Sequence, residues 1–135
     1  MTTITIQAKI HALVEKVWKS YTSPKDVMRW NNASEEWHTP KAENDLRVGG
    51  KFVYRMEAKD KSIGFDFSGV YDEVKKNEVI AFTIGDGRKV RVIFRVKDET
   101  EVVITFEAES TNSIEMQREG WQSILNNFKK YVENN

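Results

Sequence analysis

Only two histidines occur in the chain, His11 and His38, 27 residues apart, and cysteine is absent. A transition-metal site draws three or four ligands from His, Cys, Asp and Glu, and paired histidines on one element stand three to five residues apart. Neither histidine has such a partner, so no metal is expected. The lack of cysteine also removes thiolate nucleophiles, disulfides and cysteine-ligated clusters. No serine lies in a G-x-S-x-G elbow or beside a histidine, which leaves acyl transfer without its usual machinery. Gly49-Gly50-Lys51 lacks both the upstream Gly and the following Ser or Thr of a phosphate-binding loop. These residues supply no catalytic set and call for no cofactor.

Carboxylates could still do acid–base work, which needs only two groups. Asp66 and Asp72 are six residues apart on one strand face, about 20 Å at strand rise, too far to cooperate. By strict alternation Glu73 shares the face of Tyr71, where burial would raise its pKa and make it a general base. The aromatics carry more information. Trp30, Trp37, Phe52, Tyr54, Phe65, Phe67, Tyr71, Phe82 and Trp121, with Leu125, fall where a sheet and a helix would face each other. They either fill a core, as aromatics usually do, or wall a ligand cavity whose polar atoms come from the tyrosines and tryptophans. Gly69 in mid-strand and Gly120 in a helix point to clearance or close approach. Lys89, Arg91, Arg95 and Lys97 stripe one strand opposite to the aromatics, so a stacking groove for nucleic acid is not expected.

Thr3–Lys9 alternates with period two, a half-buried strand, with Ile4, Ile6 and Ala8 on one face. Leu13, Val14, Val17, Trp18 and Tyr21 then follow helical spacing. Ser23-Pro24 ends that helix and opens a second, short one carrying Val27, Met28 and Trp30. From Trp37 onward strands alternate with turns. The first, Trp37–Leu46, contains Pro40 and belongs at a sheet edge. Four more follow around Phe52-Met56, Phe65-Tyr71, Ile80-Ile84 and Val90-Val96, with Gly85-Asp86-Gly87 reading as a two-residue hairpin. Val102-Ala108 completes the series. Asn112 with Glu115 resembles a capping box, ahead of a final helix striped by Trp121, Ile124, Leu125, Phe128 and Val132.

At 135 residues the chain is one domain, able to bury roughly 68% of its unfolded surface. Twenty-one Lys and Arg against 21 Asp and Glu argue against binding nucleic acid by bulk charge. The start, MTTITIQAKIHA, lacks the basic and apolar regions of a signal peptide, and no apolar run could span a membrane, so a cytoplasmic location is expected. The elements make an α+β domain: about seven antiparallel strands, strongly twisted, curled around a long C-terminal helix, with two short helices after strand one.

This order resembles the helix-grip fold of START domains, the birch-pollen allergen family and polyketide cyclases (the SRPBCC superfamily). More narrowly, four stretches are similar to the bacterial homologues of the activator of the heat-shock-protein-90 ATPase. They are Asp45-Leu46-Arg47-Val48-Gly49-Gly50-Lys51-Phe52, Phe67-Ser68-Gly69-Val70-Tyr71-Asp72-Glu73-Val74, Val79-Ile80-Ala81-Phe82-Thr83, and Glu119-Gly120-Trp121-Gln122 with Leu125. Lys75-Lys76 departs from a frequent Pro-Pro in a turn. The leading expectation is a binding domain for a small hydrophobic or amphipathic ligand between sheet and final helix. The resemblance implies an alternative, a co-chaperone-like module acting on a heat-shock-protein-90 homologue. A cavity enzyme of cyclase or hydrolase type is a further alternative, and it needs a polar group such as Glu73 inside.

Overall fold

The computed structural model describes residues 2–135. Strand β1 (Thr3–Ile10) leads to helices α1 (Val14–Thr22) and α2 (Pro24–Trp30). Strands β2 (Trp37–Asn44), β3 (Lys51–Ala58), β4 (Gly64–Lys75), β5 (Val79–Ile84), β6 (Lys89–Val96) and β7 (Thr100–Glu107) follow, and helix α3 (Ile114–Glu133) ends the chain. The seven strands form one sheet in the order β1-β7-β6-β5-β4-β3-β2. Every pairing is antiparallel, as short connections between sequential strands require. The result is the expected helix-grip architecture. Among the described residues no helix is long and apolar enough to cross a membrane.

Edge and bend both follow from sequence. Pro40 has no N–H to give, and β2 lies at the edge with its register to β3 broken between His38 and Lys41. The concave face collects Ile4, Ile6 and Ile10 of β1, Phe52 and Tyr54 of β3, and Val90, Val92 and Phe94 of β6, all buried. Helix α3 presents Trp121, Ile124, Leu125 and Phe128 to this face, as its stripe predicts.

Four local expectations are corrected. Leu13 is 77% exposed, because it is the extended residue capping α1 and helical spacing does not reach it. The β5–β6 connection is a three-residue loop, closed by the Ile84 N–H on the Arg88 carbonyl at 2.9 Å with Gly87 at φ +92°. Its αL residue is the usual companion of that loop length. The cap of α3 is Ser113, whose Oγ accepts from the Met116 N–H at 3.1 Å. Asn112, one residue earlier, instead lends its carbonyl to the buried Gln117 amide at 2.9 Å. The fourth concerns Gly120, which faces open space: a Cβ there would meet nothing within 4 Å. It provides neither close approach nor cavity.

Gly69 does have a packing reason. A Cβ on it would lie 2.7 Å from Cε1 of Phe52 and 2.9 Å from the Thr83 carbonyl oxygen. The Phe52 ring therefore rests on the bare strand backbone, an aromatic covering a glycine across a strand pair.

Three substitutions test this packing by denaturant unfolding. Gly69→Ala should cost about 1–3 kcal/mol, since a backbone oxygen and a buried ring must both move. Leu125→Ala, at a side chain only 2% exposed, should cost about 2–5 kcal/mol. Gly120→Ala should stabilise by about 0.5–1 kcal/mol through helix propensity alone. Loss of stability at Gly120, or none at Gly69, contradicts the assignment of the two glycines.

Candidate functional site: a cavity between sheet and helix

Helix α3 leans to one side of the concave face. Its close sheet contacts are with β1, where Gln122 Nε2 donates to the Gln7 carbonyl at 3.2 Å. Trp121 stacks on Phe106 of β7, with centroids 3.9 Å apart and planes 8° from parallel. The far end of the helix is tied back as well: Glu133 accepts from the His11 N–H at 2.8 Å. Over β3, β4 and β5 the helix and sheet stand apart except where Trp121 meets Phe67 edge to face at 6.1 Å, and a cavity of about 260 Å³ lies between them.

Its wall contains Trp30, Phe52, Tyr54, Phe65, Phe67, Tyr71, Phe82, Trp121 and Leu125, every expected candidate except Trp37. Trp37 packs behind Phe65 instead, edge to face with centroids 6.1 Å apart. Phe65 is 47% exposed and forms an outer edge of the wall. The rest of the wall comes from Tyr21, Thr22, Asn31, Met56, Ile80, Arg88, Ile104, Ile124 and Phe128. Ile124 and Phe128 already lay on the helical stripe, and so did Tyr21 on that of α1. Thr22, Asn31 and Arg88 carried no signal, because helix ends and turn residues have no periodicity to read.

Phe52 is the centre of the aromatic set, with Tyr54, Phe67, Tyr71 and Phe82 between 5.0 and 5.6 Å away. Tyr21 closes the helical side, stacked on Trp30 at 5.3 Å and edge-on to Phe128 at 5.3 Å. A polar chain crosses this apolar surface. The Tyr71 hydroxyl donates to Asn44 Oδ1 at 2.6 Å, and Asn44 Nδ2 donates to the Thr22 carbonyl at 2.7 Å.

Glu73 takes no part. Between Tyr71 and Glu73 the ladder to β5 gains a residue, since Tyr71 pairs with Phe82 and Glu73 with Ala81. Such a bulge reverses the alternation beyond it. Glu73 thus turns outward, with Arg91 Nη1 at 2.8 Å and Lys75 Nζ at 3.3 Å. The Arg91 hydrogen bond, then that of Lys75, hold its carboxyl below the ordinary range, the opposite of a buried base. The cyclase or hydrolase alternative loses its one carboxylate. Arg95 of the basic stripe also has an acidic neighbour, Glu101 at 3.5 Å. Among the described residues no three His, Asp or Glu side chains gather as a metal would require.

Burial dominates the cavity's electrostatics. It pushes the Tyr71 hydroxyl up to about 12, and raises Tyr54 and Tyr21 as well, with Tyr71 adding to both. Tyr131, outside the cavity, is raised by donating to Asp26. All four tyrosines of the chain therefore stay protonated past their ordinary value of about 10. The fold favours the neutral phenol, so this stability is complete below pH about 10 and falls as pH climbs through the raised folded values. An alkaline titration of Tyr131→Phe, in which only the three cavity tyrosines remain, followed by phenolate absorbance should show no step near pH 10 while the protein stays folded. A step of one tyrosine's size there, with tertiary structure intact, contradicts the burial.

Comparison with known proteins bears on the whole chain. The family model described as Activator of Hsp90 ATPase homolog 1-like protein matches residues 11–133. The solution structure of an AHSA1-like protein from Aeromonas hydrophila is 43% identical, covering 98% of this chain and 93% of its own, with TM-score 0.93. That of Chr148 from Cytophaga hutchinsonii is 53% identical, covering 98% and 92%, with TM-score 0.86. Protein CV1439 from Chromobacterium violaceum, 23% identical and covering 98% and 99% at TM-score 0.87, shares the fold. Among curated proteins none matches. Over nearly its full length, the chain belongs to the Activator of Hsp90 ATPase homolog 1-like family.

Proposed function

We propose that this domain binds a small hydrophobic or amphipathic molecule in the cavity between sheet and α3. The observation that supports the reading is the composition of the wall. Around about 260 Å³ of space stand aromatic and aliphatic side chains and Met56, three of the aromatics being tyrosines, with Thr22, Asn31 and Arg88 and no Asp, Glu, His, Lys, Ser or Cys among them. A few polar groups on a largely apolar surface suit retention and orientation of a ligand, while the carboxylates, imidazole and thiol that most often perform acid–base or nucleophilic chemistry are not on it. The volume falls just below the ~300–1,000 Å³ of drug-sized sites, so the fitting ligand is compact, and a diacyl lipid is too large. Phe65, Trp30, Trp121 and the others named on the wall are the contacts this reading assigns to the ligand.

The family's description supports a second reading, an interaction module acting on a heat-shock-protein-90 homologue. It predicts a changed ATPase rate of the chaperone from the same organism when the domain is added. An unchanged rate at saturation, with no complex detected, counts against it.

For the binding reading, an apolar fluorophore should bind with Kd in the micromolar range, about −8 kcal/mol. Tryptophan emission should change on binding, because Trp30 and Trp121 are on the wall. Filling the cavity by Ile124→Phe should weaken binding at least tenfold while the variant stays folded. Equal binding by this variant, or none by the parent, sinks the proposal.

A further inference from the structure

Three of the polar side chains on the cavity wall are phenols, beside Thr22, Asn31 and Arg88. Tyr21 comes from α1, Tyr54 from β3 and Tyr71 from β4, and all three line the same space. Their protons are differently committed. Asn44 spends its amide N–H on the Thr22 carbonyl, which turns Oδ1 toward Tyr71. Tyr71 gives its only proton to that oxygen at 2.6 Å. Tyr54 lies beside Tyr71, and because the Tyr71 proton is already used, Tyr54 is the donor between the two hydroxyls. Tyr21 is next in the cluster, close enough to Tyr71 to feel its charge, and among the described residues its hydroxyl has no hydrogen-bond partner. It is not sealed in protein either: the fully enclosed side-chain oxygen without a partner is Asn77 Oδ1, in a turn remote from the cavity. Tyr21 lines the cavity with its hydroxyl proton uncommitted, and Tyr54, on the same wall, keeps a free lone pair.

Building on the binding reading above, we infer that the Tyr21–Tyr54–Tyr71 cluster recognises an uncharged oxygen function of the ligand, a phenol, alcohol or ketone. Tyr21 donates to the ligand oxygen, and Tyr54 accepts from a ligand hydroxyl where there is one. Charge at this spot is excluded by its surroundings. The same burial that keeps the three phenols neutral would leave a carboxylate unpaired in an apolar pocket, which is costly. The one cation on the wall, Arg88 at the β5–β6 loop, is already engaged. Its guanidinium is held by Asp86 Oδ2 at 2.8 Å and the Glu107 carbonyl at 3.2 Å.

The test uses three ligands of one shape, naphthalene, 2-naphthol and 2-naphthoate, titrated calorimetrically into the full chain at neutral pH. The parent should bind naphthol at least tenfold more tightly than naphthoate. Tyr21→Phe should weaken naphthol about three- to tenfold, the worth of one hydrogen bond, and naphthalene less than twofold. Tyr54→Phe provides the same comparison should the first variant fold poorly. If either folded variant lowers naphthol and naphthalene alike, or neither, the tyrosines do not recognise oxygen, and the cavity remains a binding site without that selectivity. Naphthoate binding as tightly as naphthol overturns the exclusion of charge and shifts recognition to Arg88. If none of the three binds, the binding reading fails and this inference fails with it.

Discussion

The Phe52 ring lies on the backbone of Gly69, with the Thr83 carbonyl beneath, and the concave face is organised around that contact. Because β4 contributes no side chain at this level, the ring can settle low against the sheet. Tyr54, Phe67, Tyr71 and Phe82 then surround it as a tilted aromatic floor. A side chain at position 69 would lift Phe52 toward α3 and into the cavity. A glycine in mid-strand weakens a sheet, so the floor is held at some local cost that the four ring contacts offset.

The roof is set by where α3 is fastened. Its Trp121 lies flat on Phe106, Gln122 reaches Gln7, and Glu133 receives the His11 N–H. At its start the buried Gln117 amide ties Glu109 and Asn112 together. These attachments are to β1, to β7 and to the connections flanking them, and toward β4 Trp121 meets the Phe67 ring edge to face at 6.1 Å. A helix pinned along one side of a curled sheet leaves the other side uncovered. Helix α2 covers β2, with Asn127 of α3 donating to the Trp30 carbonyl at 2.7 Å. What is left open is a compact space with aromatic walls and a small polar cluster from three elements.

Much of this architecture was legible in sequence. Period-two alternation located the strands, Pro40 put β2 at an edge, and the Trp121-Leu125-Phe128 stripe aimed α3 at the sheet. Alternation assumes an unbroken ladder, however. The bulge at Asp72 moved Glu73 from the expected inner face to the outer one, and no residue type announces a bulge there. The glycines were ambiguous for a related reason. An absent side chain fits either contact or clearance, and only the neighbours distinguish Gly69, under a ring, from Gly120, beside nothing. Nor does periodicity give depth: it placed Tyr21 on a buried stripe without showing that it lines the cavity. Trp37 failed by the same limit, since it shares the aromatic zone but stops behind Phe65.

The central claim is that an apolar cavity lies over β3–β5 while the β1 side is packed solid. Xenon enters dry apolar cavities of this kind, so methyl spectra of the protein under xenon pressure test it directly. The methyls of Ile80, Ile104, Ile124 and Leu125, on the wall, should shift in a saturable way. Those of Ile4, Ile10 and Val92, fully buried elsewhere in the core, should not. Shifts absent from the first group, or equal in both, would mean that sheet and helix meet without a cavity and that the aromatic floor is ordinary core.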